Sequence, residues 1–137
     1  MDPETLDAFD RSLARCVGRS GFFDRFYEKF LASSPKVREK FAHTDFVHQK
    51  RALRASLHTI LLAAEDPENG PARYLGEIAE KHSARGLDIG AELYDLWLDS
   101  LLETVEESDP EYGPAVKKAW EDVLMVGIHY LCVRYNA

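Results

Sequence analysis

Apolar residues recur at intervals of three and four along nearly the whole chain, and no segment alternates apolar with polar. A period near 3.6 buries one face of a helix, whereas a half-buried strand needs a period of two. The pattern therefore predicts an all-α fold. The chain has 137 residues and is read as a single domain over residues 1–137, large enough for a core without disulfide or metal staples.

Caps and breakers place the helices. A first helix is predicted from Pro3 to about Val17, with Asp2 as N-cap and Pro3 at the first helical position. Gly18 and Gly21 bracket the break after it. A second, from about Phe22 to Ala32, carries Phe23, Phe26, Tyr27, Phe30 and Leu31 on one stripe. Ser33-Ser34-Pro35 ends it and opens a short helical piece through Phe41. Asp45 is expected to cap a long helix to about Ala64, whose inward stripe reads Phe46, Gln49, Leu53, Leu57, Ile60, Ala64. Pro67, Asn69, Gly70 and Pro71 form a loop. A shorter helix is expected from about Ala72 to Arg85, with Leu75, Ile78 and His82 on one face. Two long helices follow, about Ala91 to Glu107 and about Glu111 to Arg134, divided by Ser108-Asp109-Pro110. Their stripes are Leu93, Trp97, Leu101, Val105 and Val116, Trp120, Val123, Gly127, Leu131. The count is about seven helices.

Composition narrows the partners. Hydrophobic residues make up 45% and charged residues 30%, which excludes a disordered chain. Seventeen Lys and Arg against 24 Asp and Glu give a net charge of −7, which repels polyanions, so neither nucleic acid nor an anionic membrane is an expected partner. The N-terminus is acidic and lacks the features of a signal peptide. The longest apolar run, Ile60–Ala64, is far short of the roughly 20 residues of a membrane span. Cys16 and Cys132 both lie in helical patterns and read as reduced thiols of a cytoplasmic protein. No CxxC, HExxH, GxGxxG or GxxxxGK[ST] motif occurs.

Three polar residues stand on apolar stripes: His82, Gln49 and Tyr27. Each alone has a structural explanation. A histidine at a helix end meets the helix dipole, a glutamine at a stripe's edge reaches water, and a tyrosine among phenylalanines is a core aromatic. Together, one imidazole and two hydrogen-bond donors on separate helices are the inventory of a haem pocket.

The run Phe22-Phe-Asp-Arg-Phe-Tyr-Glu-Lys-Phe through Ser34-Pro35, then Phe41, Asp45 through Leu53, Lys81-His82 and Ala119-Trp120 resembles the globin family. The order is similar to bacterial single-domain haemoglobins and to the globin domains of flavohaemoglobins and globin-coupled sensors. The resemblance implies a globin fold around haem b (iron protoporphyrin IX), with His82 as the proximal iron ligand and metal-binding residue. It makes Phe41 the ring packed on the haem plane, Gln49 the distal residue and Leu53 the apolar group over the iron. Tyr27 becomes the hydroxyl that reaches bound ligand, and Trp120 matches an aromatic on the last helix. Ile78 is assigned to the cofactor pocket, and Lys81 and Arg85, flanking His82, are the candidate partners of the propionates. The short stretch from Phe41 to Gln49 implies little or no D helix. Two more residues separate His82 from Tyr94 than in flavohaemoglobins. No reductase or signalling domain is expected after Ala137.

His48 is the competitor of Gln49, since a shift of one residue would bring it toward iron. It sits about 100° away from the stripe, which favours Gln49. His43 is assigned to the corner, near a propionate or solvent, and His58 and His129 to outward or structural positions. On this reading the protein binds a diatomic gas (O2, NO or CO), with nitric-oxide dioxygenation by way of an external reductase as an activity the family suggests. The alternative is a gas sensor acting through a partner or a homodimer, built on outward apolar residues of the last two helices (Leu96, Leu98, Ile128, Tyr130). The third is a globin-like interaction domain without haem.

Overall fold

The start signals in the sequence are the ones the chain uses. In a computed structural model, which describes residues 1–136, the Asp2 carboxylate accepts from the Glu4 N–H and opens α1 (Pro3–Val17). After α2 (Phe22–Ser33), the Ser34 hydroxyl oxygen accepts from the Lys36 N–H and opens α3 (Pro35–Lys40). Asp45 accepts from the N–H groups of Val47 and His48 and opens α4 (Phe46–Glu65). Each cap satisfies a donor that the first helical turn leaves without a partner. Then come α5 (Gly70–His82), α6 (Ala91–Ser108) and α7 (Pro114–Val133). Residues 41–45 hold turns and no helix, and no strand occurs among the described residues.

Helix α5 starts at Gly70, so Gly70 and Pro71, read as loop, form its first turn; two further boundaries differ from the sequence reading by three residues, each for a physical reason. Helix α5 ends at His82, not Arg85, because Ser83 turns to extended backbone (φ −69°, ψ 171°). The amides of Leu87 and Ile89 then fold back onto the carbonyls of Lys81 and His82, at 2.7 and 3.0 Å, replacing the next turn's hydrogen bonds. Helix α7 starts at Pro114, not Glu111. The Asp109 carboxylate accepts from the Glu111 N–H at 2.9 Å and winds that segment into a turn, leaving Pro114 to take the first helical position.

Helix α7 is the hub, packed against α1, α4, α5 and α6, while α2 lies on α6 and α4 on α5. Gly70 sets the α4–α5 approach: a Cβ there would lie 2.2 Å from the Ala63 carbonyl oxygen, so only glycine fits. One apolar core runs from Phe9 and Leu13 through Phe26, Leu57 and Leu101 to Trp120. Of the apolar residues read as outward, Ile128 is buried, and Leu96, Leu98 and Tyr130 pack partly buried against the core.

A polar chain crosses this core away from the cavity described below. The Trp120 indole donates to the Ser12 hydroxyl (2.8 Å), which donates to Asp109 (2.6 Å). Arg15 closes on the same carboxylate through two bonds of 2.7 and 2.9 Å. Burial alone would raise the Asp109 pKa, but the hydrogen bonds of Arg15, Ser12 and the Glu111 amide hold it below the ordinary carboxylate value. Both cysteines are free thiols: Cys16 is fully buried and Cys132 half-buried. Burial, seconded by the charge of Asp109, pushes the Cys16 thiol up to about 12. No described helix is long and apolar enough to cross a membrane.

Candidate functional site

Helices α2, α4, α5, α6 and α7 leave a cavity of about 360 Å³ between them, mostly apolar in lining. Its walls follow from the stripes: Gln49, Leu53, Ser56 and Ile60 recur at three and four on α4, as do Leu75, Ile78 and His82 on α5. Beside the cavity, Tyr27, Phe41 and Phe46 pack edge to face or stacked at centroid distances of 5.3–6.1 Å. Such contacts fix the ring positions beyond what area burial supplies.

His82 Nδ1 lies 2.8 Å from the Ile78 carbonyl oxygen. A carbonyl only accepts, so Nδ1 carries the proton and Nε2 is left with a free lone pair. Burial lowers the pKa of the ring, opposed by the Ile78 bond and assisted by the charge of Lys81. The imidazole is therefore neutral at neutral pH, the state in which it ligates a metal.

Tyr27 and Gln49, on two other helices, both line the same cavity. Burial pushes the Tyr27 phenol up to about 12, with the Gln49 side chain offsetting part of that shift. The phenol thus remains a donor throughout the neutral range.

Tyr94 completes the set. It lines the cavity, and its ring lies near-parallel to that of His82, with centroids 6.5 Å apart. Its hydroxyl is buried with no protein partner, and burial, followed by the neighbouring Cys132, raises its pKa. A buried hydroxyl without a partner is rare in a folded protein. An apolar slot with a free imidazole nitrogen and an unpartnered hydroxyl fits a flat, largely apolar group with polar edges. Among the described residues no cluster of three or more His, Cys, Asp or Glu could hold a metal ion. The single nitrogen of His82 suits a metal that brings its own equatorial ligands, as haem iron does.

Of the candidates read from the sequence, Tyr27, Phe41, Gln49, Leu53, Ile78, Lys81 and His82 all line the cavity. Arg85 does not. Since α5 stops at His82, Arg85 lies exposed in the following loop rather than one turn along the same face. His48 is exposed and absent from the lining, whereas Gln49 faces in, as the stripe required. His43, His58 and His129 are exposed. Trp120 is fully buried in the core and takes no part in the cavity. The sequence reading missed Lys40, Tyr94 and Trp97 as wall residues. For the last two the signal was present, because Leu93-Tyr94 and Trp97 lie at the three-and-four spacing of one helical face.

The Globin family pattern matches residues 24–131. The fold is also similar to a crystal structure of protein PA3967 from Pseudomonas aeruginosa PAO1, reported as structurally highly homologous to a human haemoglobin. The two share 41% identity at a TM-score of 0.89, over 97% of this chain and 99% of that one. A comparison with curated protein sequences gives no match.

Proposed function

The chain belongs to the globin family, and from that premise we propose that its cavity holds haem b on His82 and binds a diatomic gas beside Tyr27 and Gln49. The observation that carries this reading is the His82–Ile78 hydrogen bond, which leaves Nε2 free in the same cavity that Tyr27 and Gln49 enter. Haem, when bound, supplies the iron at which a diatomic gas coordinates.

The protein's own groups then divide the work. The Ile78 carbonyl holds the His82 proton and raises the ring's basicity as a ligand. The Tyr27 hydroxyl and the Gln49 amide present donors to a polar ligand, and bonds to a charged acceptor are worth about 1.5–3 kcal/mol each. Leu53, Phe30 and Phe41 make the lining apolar and disfavour water there. Such a pocket retains dioxygen rather than releasing it quickly. It favours storage of dioxygen, or nitric-oxide dioxygenation with electrons from a separate reductase, and the cytoplasm is the matching compartment.

An absorbance spectrum of the haem-loaded protein after dithionite reduction tests the reading. One broad visible band is expected, from five-coordinate ferrous haem. Sharp split visible bands would place a second internal ligand on the iron and remove the open ligand site. The absence of a Soret band after reconstitution would overturn the haem pocket altogether.

A further inference from the structure

Lys40 ends α3 and His82 ends α5, and the segment after His82 turns back to meet Lys40. The Lys40 ammonium donates to two consecutive carbonyls, Leu87 at 2.7 Å and Asp88 at 2.9 Å. Within this segment the amides of Gly86 and Asp88 both donate to the Ser83 carbonyl at 2.9 Å, and those of Leu87 and Ile89 to Lys81 and His82. The coil is tight enough that a Cβ on Gly86 would lie 2.3 Å from the Lys81 carbonyl oxygen. Asp88 has φ +56°, a left-handed conformation that a non-glycine residue keeps only when its surroundings enforce it.

Leu87, Ile89 and Lys40 all line the cavity, yet Leu87 is 59% exposed. The wall beside His82 is therefore one side chain thick. Its backbone is fastened to α3 by Lys40 and to the C-terminal segment by the Tyr135 hydroxyl, bonded to the Asp88 carboxylate. A parallel ion pair, Lys36–Glu92 at 2.7 Å, joins α3 to the start of α6.

We propose that Lys40 is the bolt of the loop that follows His82, a positioning residue that keeps this wall closed and so sets how long the pocket retains haem. The inference rests on the haem reading above, and it assigns Lys40 to the loop carbonyls rather than to a haem propionate.

The test begins with uptake of one haem per chain by the wild type, then follows haem transfer to an excess of an acceptor apoglobin. Lys40→Met is expected to lose haem about tenfold faster, on the scale of one charge-assisted hydrogen bond, and Lys40→Arg to restore retention to within about threefold. The acceleration should be the same with haem dimethyl ester, which has no free propionates. An acceleration seen with natural haem alone would make Lys40 a propionate partner and overturn the proposal, as would an unchanged rate. Hydrogen exchange of the Leu87 and Ile89 amides in the haem-free protein reads the bolt without haem. Faster exchange in Lys40→Met supports it even if haem uptake fails, and identical exchange removes it.

Discussion

Nδ1 of His82 and the carbonyl oxygen of Ile78, one helical turn apart, form a 2.8 Å hydrogen bond that fixes the tautomer of the imidazole. The ring, which lines the cavity, has one free nitrogen, Nε2.

His82→Ala is therefore expected to abolish haem uptake at one per chain, with partial recovery in added imidazole; full uptake by the variant would assign the iron to another residue. The ring also gives a pH signature. Its folded-state pKa lies below the ordinary histidine value, so the unfolded chain binds the proton first. The stabilising contribution is complete above about pH 6.5 and is lost as the pH falls below it. The urea midpoint of the haem-free protein should fall between about pH 7 and pH 5, and His82→Gln should fall less.

Tyr27→Phe is expected to raise the dioxygen dissociation rate about tenfold, as the loss of one donor to a charged acceptor predicts. Carbon monoxide, less polar when bound, should change less. In the wild type the dioxygen rate should stay flat up to about pH 10, since burial keeps the phenol protonated to about 12. A rate that rises with the ordinary tyrosine titration would mean that the hydroxyl is open to water.

Tyr94→Phe removes a buried hydroxyl that has no protein partner. Denaturant unfolding of the haem-free variant should show unchanged stability or a gain of about 1 kcal/mol, the opposite sign from most buried substitutions. A loss of stability would reveal a partner for the hydroxyl, such as an ordered water.

Asp109→Ala leaves Arg15 and Ser12 without their shared acceptor and should cost about 3 kcal/mol of stability. The reduced haem spectrum should not change, because the polar chain lies outside the cavity. The carboxyl pKa is held below its ordinary value, so its contribution is present above about pH 4 and lost as the pH falls. Acid titration of the variant beside the wild type would show a shallower decline.

The local signals carried most of the fold. Asp2, Ser34 and Asp45 announce their helices because a cap acts within three residues of itself, and the three-and-four spacing put Gln49 rather than His48 into the cavity. What failed to show depends on distance in sequence. Ser12 and Asp109 are 97 residues apart, so the role of Asp109 as an acceptor for α1 could not be read from the Ser108-Asp109-Pro110 break. The later start of α7, at Pro114, goes instead with the local bond from the Glu111 N–H to the same carboxylate. Arg85 was misplaced because nothing in Lys81-His82-Ser83-Ala84-Arg85 forbids another helical turn; the fold-back of Leu87 and Ile89 ends the helix instead. Lys40 carries no local signal at all, because its acceptors are backbone atoms 47 and 48 residues away.

The two thiols also differ in when they can react. Cys16 has no exposed surface and a pKa held at about 12, so a thiol reagent reaches it only when α1 leaves the core. Cys132 is half-buried on the outer turn of α7 and reacts without that event. One chain thus carries both a handle and a clock: the first label marks a position beside Tyr94, and the second counts openings of the core.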